Sequence, residues 1–186
     1  KDFIIDGIKA NIDSVKARDF YWRHDLTAVD AFVNKDNINS LFKENGFTGD
    51  IGILSIDIDG NDYWVWDAID CVNPQVIICE YNSVLGAEKT VVVPYEANFE
   101  RTKAHYSNLY WGASLRAYEL LGKKKGYSLI GCNSAGVNAF FVKDSYASFF
   151  EVKTTEQAYI CSKFRDSRDR EGKLSYLSSS ARLEVM

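Results

Sequence analysis

Asp57 and Asp59 stand two residues apart at the end of an apolar run, in the stretch SIDIDGNDYWVW that covers residues 55–66. Glu80 and Asn82 close a second apolar run, VIICEYN. In an open α/β sheet, ligands sit outside the carboxyl ends of the strands, so two such runs side by side would bring these groups to one edge. Oxygen donors gathered there suit a hard cation such as magnesium, with Asp59, Glu80 and Asn82 as its ligands. They equally suit the deprotonation of a hydroxyl, a poor nucleophile until it loses its proton. Alternation along a strand would put Asp57 and Asp59 on one side. The structural alternative is that Asp62 or Asn61 caps the helix that follows and Asp59 binds turn amides. His105, beside Lys103 and Tyr106, is a further candidate base. His24 sits in a polar turn and is assigned no role, and Trp64 and Trp66 are read as packing residues.

The elements that must position these groups alternate. A short apolar run over 3–5 ends at Asp6-Gly7, residues 10–22 fit a helix, and Leu26–Val33 reads as a strand. A short helix over 37–45 is stopped by Gly46, a strand over 51–58 carries the first carboxylates, and 63–69 is helical. Pro74 opens the next strand, 75–81, whose unbroken apolar centre suits burial on both faces. An aromatic-rich connection over 83–112 is too long for a simple crossover and fits a lid or binding loop, with YWGAS at 110–114 leading into a helix. That helix spans 113–125, with Leu115, Tyr118, Leu121 and Leu120 as its stripe and Gly126 as its stop. Strands over 127–132 and 137–142, joined by only four residues, form an antiparallel hairpin. Residues 1–150 are therefore one α/β domain, and 151–186 a peripheral helix and polar tail.

Composition narrows the function classes. The 186 residues are 46% hydrophobic with a net charge of −4, which gives no electrostatic reason to expect nucleic acid or an anionic membrane as a partner. No apolar run approaches the roughly 18–20 residues of a membrane span, and no segment of these residues reads as a signal peptide. The four cysteines are scattered without a CxxC pair; Cys79 and Cys132 lie in apolar runs and read as core, which fits a reducing cytoplasm. The chain starts at Lys1 and meets apolar residues at once, so it is read as part of a longer protein.

Three families share an Asp-x-Asp. ILSIDIDGN resembles the opening motif of haloacid-dehalogenase-like phosphatases, implying a magnesium-dependent phosphohydrolase. However, Asn61 stands where that family has Thr or Val, and no later strand ends in an acidic pair. An Asp-x-Asp can also chelate the metal of a nucleotide-sugar glycosyltransferase, and nothing else supports that. The third resemblance is the broadest. LSIDIDGND keeps the Ile-Asp-x-acid-Gly-x-acid order of the FkbM-like methyltransferases, through Asp57, Asp59, Gly60 and Asp62, with Ser55 in place of their Lys. The βα series ending in an antiparallel hairpin resembles the C-terminal part of class I S-adenosylmethionine-dependent methyltransferases, from strand two onward.

That resemblance implies a Rossmann-like, three-layer, mostly parallel sheet and methyl transfer from S-adenosylmethionine to a hydroxyl of a small molecule or glycan. It implies cofactor contacts from Asp6 at the ribose, from Asp30 and Ala31 of VDAFVN near the adenine, and from Asp57. The reaction centre would be Asp57, Asp59, Glu80 and His105, with a divalent cation as an optional partner. The Gly-rich loop that follows strand one in that fold is not in these residues. A non-catalytic, degenerate form of the fold is accordingly the other reading.

Overall fold

The computed structural model describes residues 27–163 and 166–186. Asp6, the apolar run at 3–5 and the helix expected over 10–22 lie outside them. Residues 27–32 are exposed and without regular structure, and no strand forms over 27–33. A β-prone run becomes a strand only where another strand supplies its hydrogen bonds. Here Asn34 starts a turn instead, its side chain accepting the amides of Asp36 and Asn37 at 2.9 and 3.1 Å.

From Val33 to Met186 the chain forms one compact unit. Helix α1 (Ile38–Glu44) ends before Gly46, whose φ of +81° closes the last turn. Strand β1 (Gly49–Ile56), helix α2 (Asp62–Ala68) and strand β2 (Val72–Glu80) follow as one βαβ series. The long connection carries a 3₁₀ turn at Ser83–Leu85 and a single helical turn, α3 (Arg101–Ala104). Helix α4 (Leu115–Lys125) starts when the Ser114 hydroxyl accepts the Ala117 amide and stops at left-handed Gly126. Strands β3 (Tyr127–Cys132) and β4 (Asn138–Lys143) form the hairpin.

The sheet order is β1-β2-β4-β3. β1 and β2 are parallel, with Ile56 opposite Cys79. β4 runs antiparallel to both its neighbours, β2 and β3; the four-residue link accounts for the pairing with β3. The fold is thus α/β with a mixed four-stranded sheet among the described residues.

One face of that sheet is the core. Leu54 and Ile56, Ile77 and Cys79, Ala139 and Phe141 meet α2 and α4 there. Trp66 is its centre, 1% exposed, edge-on to Phe141 at 5.0 Å and stacked on Tyr118 at 6.0 Å. On the helix, Leu115, Tyr118 and Leu121 are buried as the stripe requires, whereas Leu120 is 46% exposed and does not belong to it. Burial pushes the Cys79 thiol well up and that of Cys132 to about 11, which keeps both protonated and inert. On the opposite face of β1, Ile53, Ser55 and Asp57 are exposed. Among the described residues no helix is long and apolar enough to cross a membrane.

Residues 151–186 belong to the same compact unit and carry two short helices, α5 (Thr155–Ala158) and α6 (Ser179–Glu184). Polarity alone hid their anchors. Glu119 on α4 is 4% exposed and takes the Thr155 hydroxyl, the Thr155 amide at 3.2 Å and the Lys123 ammonium at 2.7 Å. Arg182, equally buried, donates to the carbonyls of Leu177, Ser162 and Lys163.

Burial by itself would raise the Glu119 carboxyl, but the bonds from Lys123 and Thr155 outweigh it and hold the group below the usual range. A depressed folded value contributes stability that is present above the unfolded value and lost as pH falls through the folded one. Glu119→Ala is therefore expected to cost about 1–3 kcal/mol in chemical denaturation at neutral pH. The difference between mutant and parent should shrink as pH falls below that of an ordinary glutamate.

Candidate functional site

Strand β1 ends at Ile56, and the chain must then turn into α2 within five residues. Asp62 makes the turn. Its carboxylate accepts the amides of Ile58 at 3.0 Å and Gly60 at 2.9 Å and is wholly inaccessible to solvent. It therefore does not cap α2; it reaches back and folds the loop before it. Burial pushes its carboxyl above the usual range, while the two amides pull the other way. Gly60 is required because the Phe99 ring lies where a Cβ would go. Asn61 ties the loop to the long connection through the Glu96 carbonyl at 2.8 Å.

This turn separates the carboxylates that the sequence pairs. Asp59 has a left-handed φ of +57°, so strand alternation does not carry on to it. Its side chain meets Arg101 at 2.9 Å rather than binding turn amides. Arg101 also donates to the Asn108 carbonyl at 2.8 Å and lies 4.8 Å over the Trp111 ring. Asp57 stays with the strand and is exposed. Carrying the Ile56–Cys79 register one residue further sets Asp57 beside Glu80, on the sheet face opposite the core. Glu80 is only 6% exposed, so the pair joins an open carboxylate to a sheltered one. Tyr118 is fully buried; burial first, then the nearby acids Asp62 and Glu80, push its hydroxyl well up.

Asn82, expected among metal ligands, has a different task. Its Oδ1 accepts the Val84 amide at 3.1 Å, and its Nδ2 donates to the carbonyls of Leu109 and Trp111 at 2.8 and 3.0 Å. Buried and committed, it clips the long connection to the end of β2. With Asp59 held by Arg101 as well, the expected set Asp59, Glu80 and Asn82 does not assemble. Among the described residues no three His, Cys, Asp or Glu side chains converge as a metal site. His105 lies in the turn before Asn108, its Nδ1 against the Ser107 hydroxyl at 2.8 Å and its ring 4.3 Å from Tyr106. Asp30 and Ala31 are exposed and belong to the other unit, residues 1–32.

The structure adds a cleft that the sequence did not disclose. About 380 Å³ in volume, it opens where β1 ends and is lined by Asp59, Phe99, Glu100, Arg101, Asn108 and Asp166 among others. Arg101, Asn108 and Asp166 carry no local motif; they reach the site through contacts 42 and 58 residues distant in sequence. The one signal was the length and aromatic content of the connection itself.

Comparison with protein-family models, with curated proteins and with solved structures finds no match to this chain. What the coordinates define is an α/β domain with a mixed sheet and a polar cleft beside two carboxylates at the carboxyl edge.

Because Asp62 and Gly60 set this edge, two substitutions should disturb it differently. Asp62→Asn can accept only one of the two amides well, at an expected cost of about 1–3 kcal/mol read from the denaturation midpoint. Gly60→Ala must displace Phe99, and an overpacking cost of about 1–3 kcal/mol is expected with the cleft lining altered. Unchanged stability in both would show that the loop is not held this way.

Proposed function

We propose that this domain transfers a methyl group from S-adenosylmethionine to a hydroxyl, as the C-terminal part of an FkbM-like class I methyltransferase, and that it works in the cytoplasm. The observation that carries the reading is the strand order β1-β2-β4-β3, with β4 antiparallel between β2 and β3. The sequence resemblance calls for that arrangement of its last four strands. A four-residue hairpin link alone does not dictate insertion beside β2. The Asp57-to-Asp62 loop at the carboxyl edge supports it as well.

The residues fit the cofactor in one respect visible here: Asp57 presents an open carboxylate at the strand end, able to accept a hydrogen bond. The resemblance assigns the ribose and adenine to Asp6, Asp30 and Ala31, which belong to the other unit. The cofactor supplies an electrophilic methyl on a sulfonium. The chain's own part is to place the acceptor oxygen and take its proton. Asp57 and Glu80 are the groups for that, side by side at one edge with Glu80 sheltered from water. A divalent cation does not fit the described residues, because Asp59 and Asn82 are engaged elsewhere. His105 does not line the cleft, and the proton step is not assigned to it. The phosphohydrolase reading needs Asp59 free for proton transfer, and its pairing with Arg101 speaks against that.

The test is turnover by the full-length protein. S-adenosylhomocysteine should accumulate in the presence of a hydroxylated acceptor, with phosphate esters left intact. Asp57→Asn and Glu80→Gln should each lower kcat/KM by about 10²–10⁴-fold, the range for loss of a general base. In calorimetry, Asp6→Ala should weaken cofactor binding by about 1.5–3 kcal/mol, the worth of a hydrogen bond to a charged acceptor. Phosphate release without methyl transfer would replace this reading with the phosphohydrolase.

A further inference from the structure

We propose that the stretch Tyr159–Ser162 is a positioning strap for the reaction centre: through Tyr81 and Ser83 it sets where Glu80 stands. The inference rests on the methyl-transfer reading only in taking Glu80 as one of the groups that accept the proton.

Glu80 is the last residue of β2, and the ladder does not hold it on both sides. It pairs with Asn138 of β4, whereas the pairing with β1 stops one residue earlier, at Cys79. A side chain at such a strand end is placed only as well as the backbone that follows it. That backbone is fixed from the tail. The Tyr81 hydroxyl donates to the Ile160 carbonyl at 2.6 Å, and the Tyr159 hydroxyl donates in return to the Ser83 carbonyl, also at 2.6 Å. Burial pushes both phenols up, so each remains a donor. Ser83 and Ser162 share a hydroxyl–hydroxyl bond at 2.8 Å, and the Ser162 amide donates to the Ser83 hydroxyl at 3.1 Å.

The strap is itself braced. Arg182 donates to the Ser162 carbonyl at 2.8 Å. Gly136 of the hairpin link lies so close to the backbone of Ile160, Cys161 and Ser162 that a Cβ there would overlap it. Tyr81, Ser83, Ser162 and Arg182 are all at most 4% exposed. Merely attaching a polar tail to a surface needs no sealed network of this kind; enclosed and bonded, it holds one arrangement. Its bonds fall one and three residues past Glu80, at the working edge of the sheet.

The experiment compares single-hydroxyl deletions in the full-length protein. Tyr159→Phe and Tyr81→Phe each remove one strap bond. Tyr127→Phe removes a matching bond, from its hydroxyl to the Pro74 carbonyl at 2.8 Å, near the other end of β2, and is the control for stability alone. The readouts are the titration of the Glu80 carboxyl, followed by ¹³C NMR of glutamate-labelled protein, and kcat. The titratable groups around it, Asp57, Asp62 and Tyr118, are intact in all three. Tyr159→Phe is expected to lower the Glu80 midpoint by about half a pH unit, because a loosened strand end admits water to a sheltered carboxylate. It should also lower kcat about tenfold at unchanged KM for S-adenosylmethionine, the mark of a misplaced group. Tyr81→Phe should do the same, with Ser162→Ala in its place should it fail to fold, and Tyr127→Phe should alter neither readout. In a Glu80→Gln background, Tyr159→Phe should leave the residual turnover as it is, since nothing remains to be positioned.

The proposal is overturned if Tyr159→Phe leaves the Glu80 titration in place, or if Tyr127→Phe shifts it equally. It is overturned as well if Tyr159→Phe lowers turnover as much without Glu80 as with it. A parent protein with no methyl-transfer activity would sink the reading above, and the titration would still decide the strap.

Discussion

A single buried carboxylate sets the carboxyl edge of this domain. Asp62 receives the amides of Ile58 and Gly60 and is sealed beneath the loop it folds. Two backbone donors that would otherwise be buried without partners are satisfied, and a charged acceptor makes each bond stronger than a neutral one would. The geometry of everything nearby follows. Asp59 is forced to a left-handed conformation and turned to Arg101; Gly60 is pressed against Phe99; Asp57 is left at the strand end beside Glu80. A motif that looks like two equivalent acids is one acid for the sheet edge, one for the cleft, and a third that holds them apart.

The elements with strong punctuation were legible in the sequence. Gly46 and Gly126 stop α1 and α4 where expected, and the short link at Asn133 demands the hairpin, its side chain accepting the amides of Val137 and Asn138. The placement of β4 between β2 and β3 was legible too, through family resemblance more than from periodicity. The run at 27–33 misled because strand propensity says nothing about whether a ladder partner is present. The site was half legible. Asp57 and Glu80 each follow directly on the last paired residues, Ile56 and Cys79, a consequence of sheet register. The reversal at Asp59 depends on a carboxylate three residues later choosing the loop over the helix, and no spacing rule reports that choice. The cation that meets it lies 42 residues away in an irregular segment.

The polar tail teaches a related lesson. A polar tail usually signals a solvated surface, yet Arg182 within it and Glu119 on α4, which anchors it, are each about as buried as core residues. Both are accommodated because every strong donor or acceptor they bring finds a partner: Thr155 and Lys123 for the acid, three backbone carbonyls for the guanidinium. Composition averages over such positions. Their burial is written in the tertiary pairing, where a single-sequence reading has least purchase.

Asn82 has a consequence for how this domain tolerates change. By bonding the carbonyls of Leu109 and Trp111 it staples the far end of the connection to its beginning, so the intervening segment is a closed loop whose ends are fixed independently of its contents. Closing entropy grows only with the logarithm of length, and doubling such a loop costs about 0.6 kcal/mol. Insertions at the exposed residues 88–90 would thus leave the sheet nearly untouched, whereas Val93, Glu96 and Phe99 hold the following stretch to Trp64, Asn61 and Gly60.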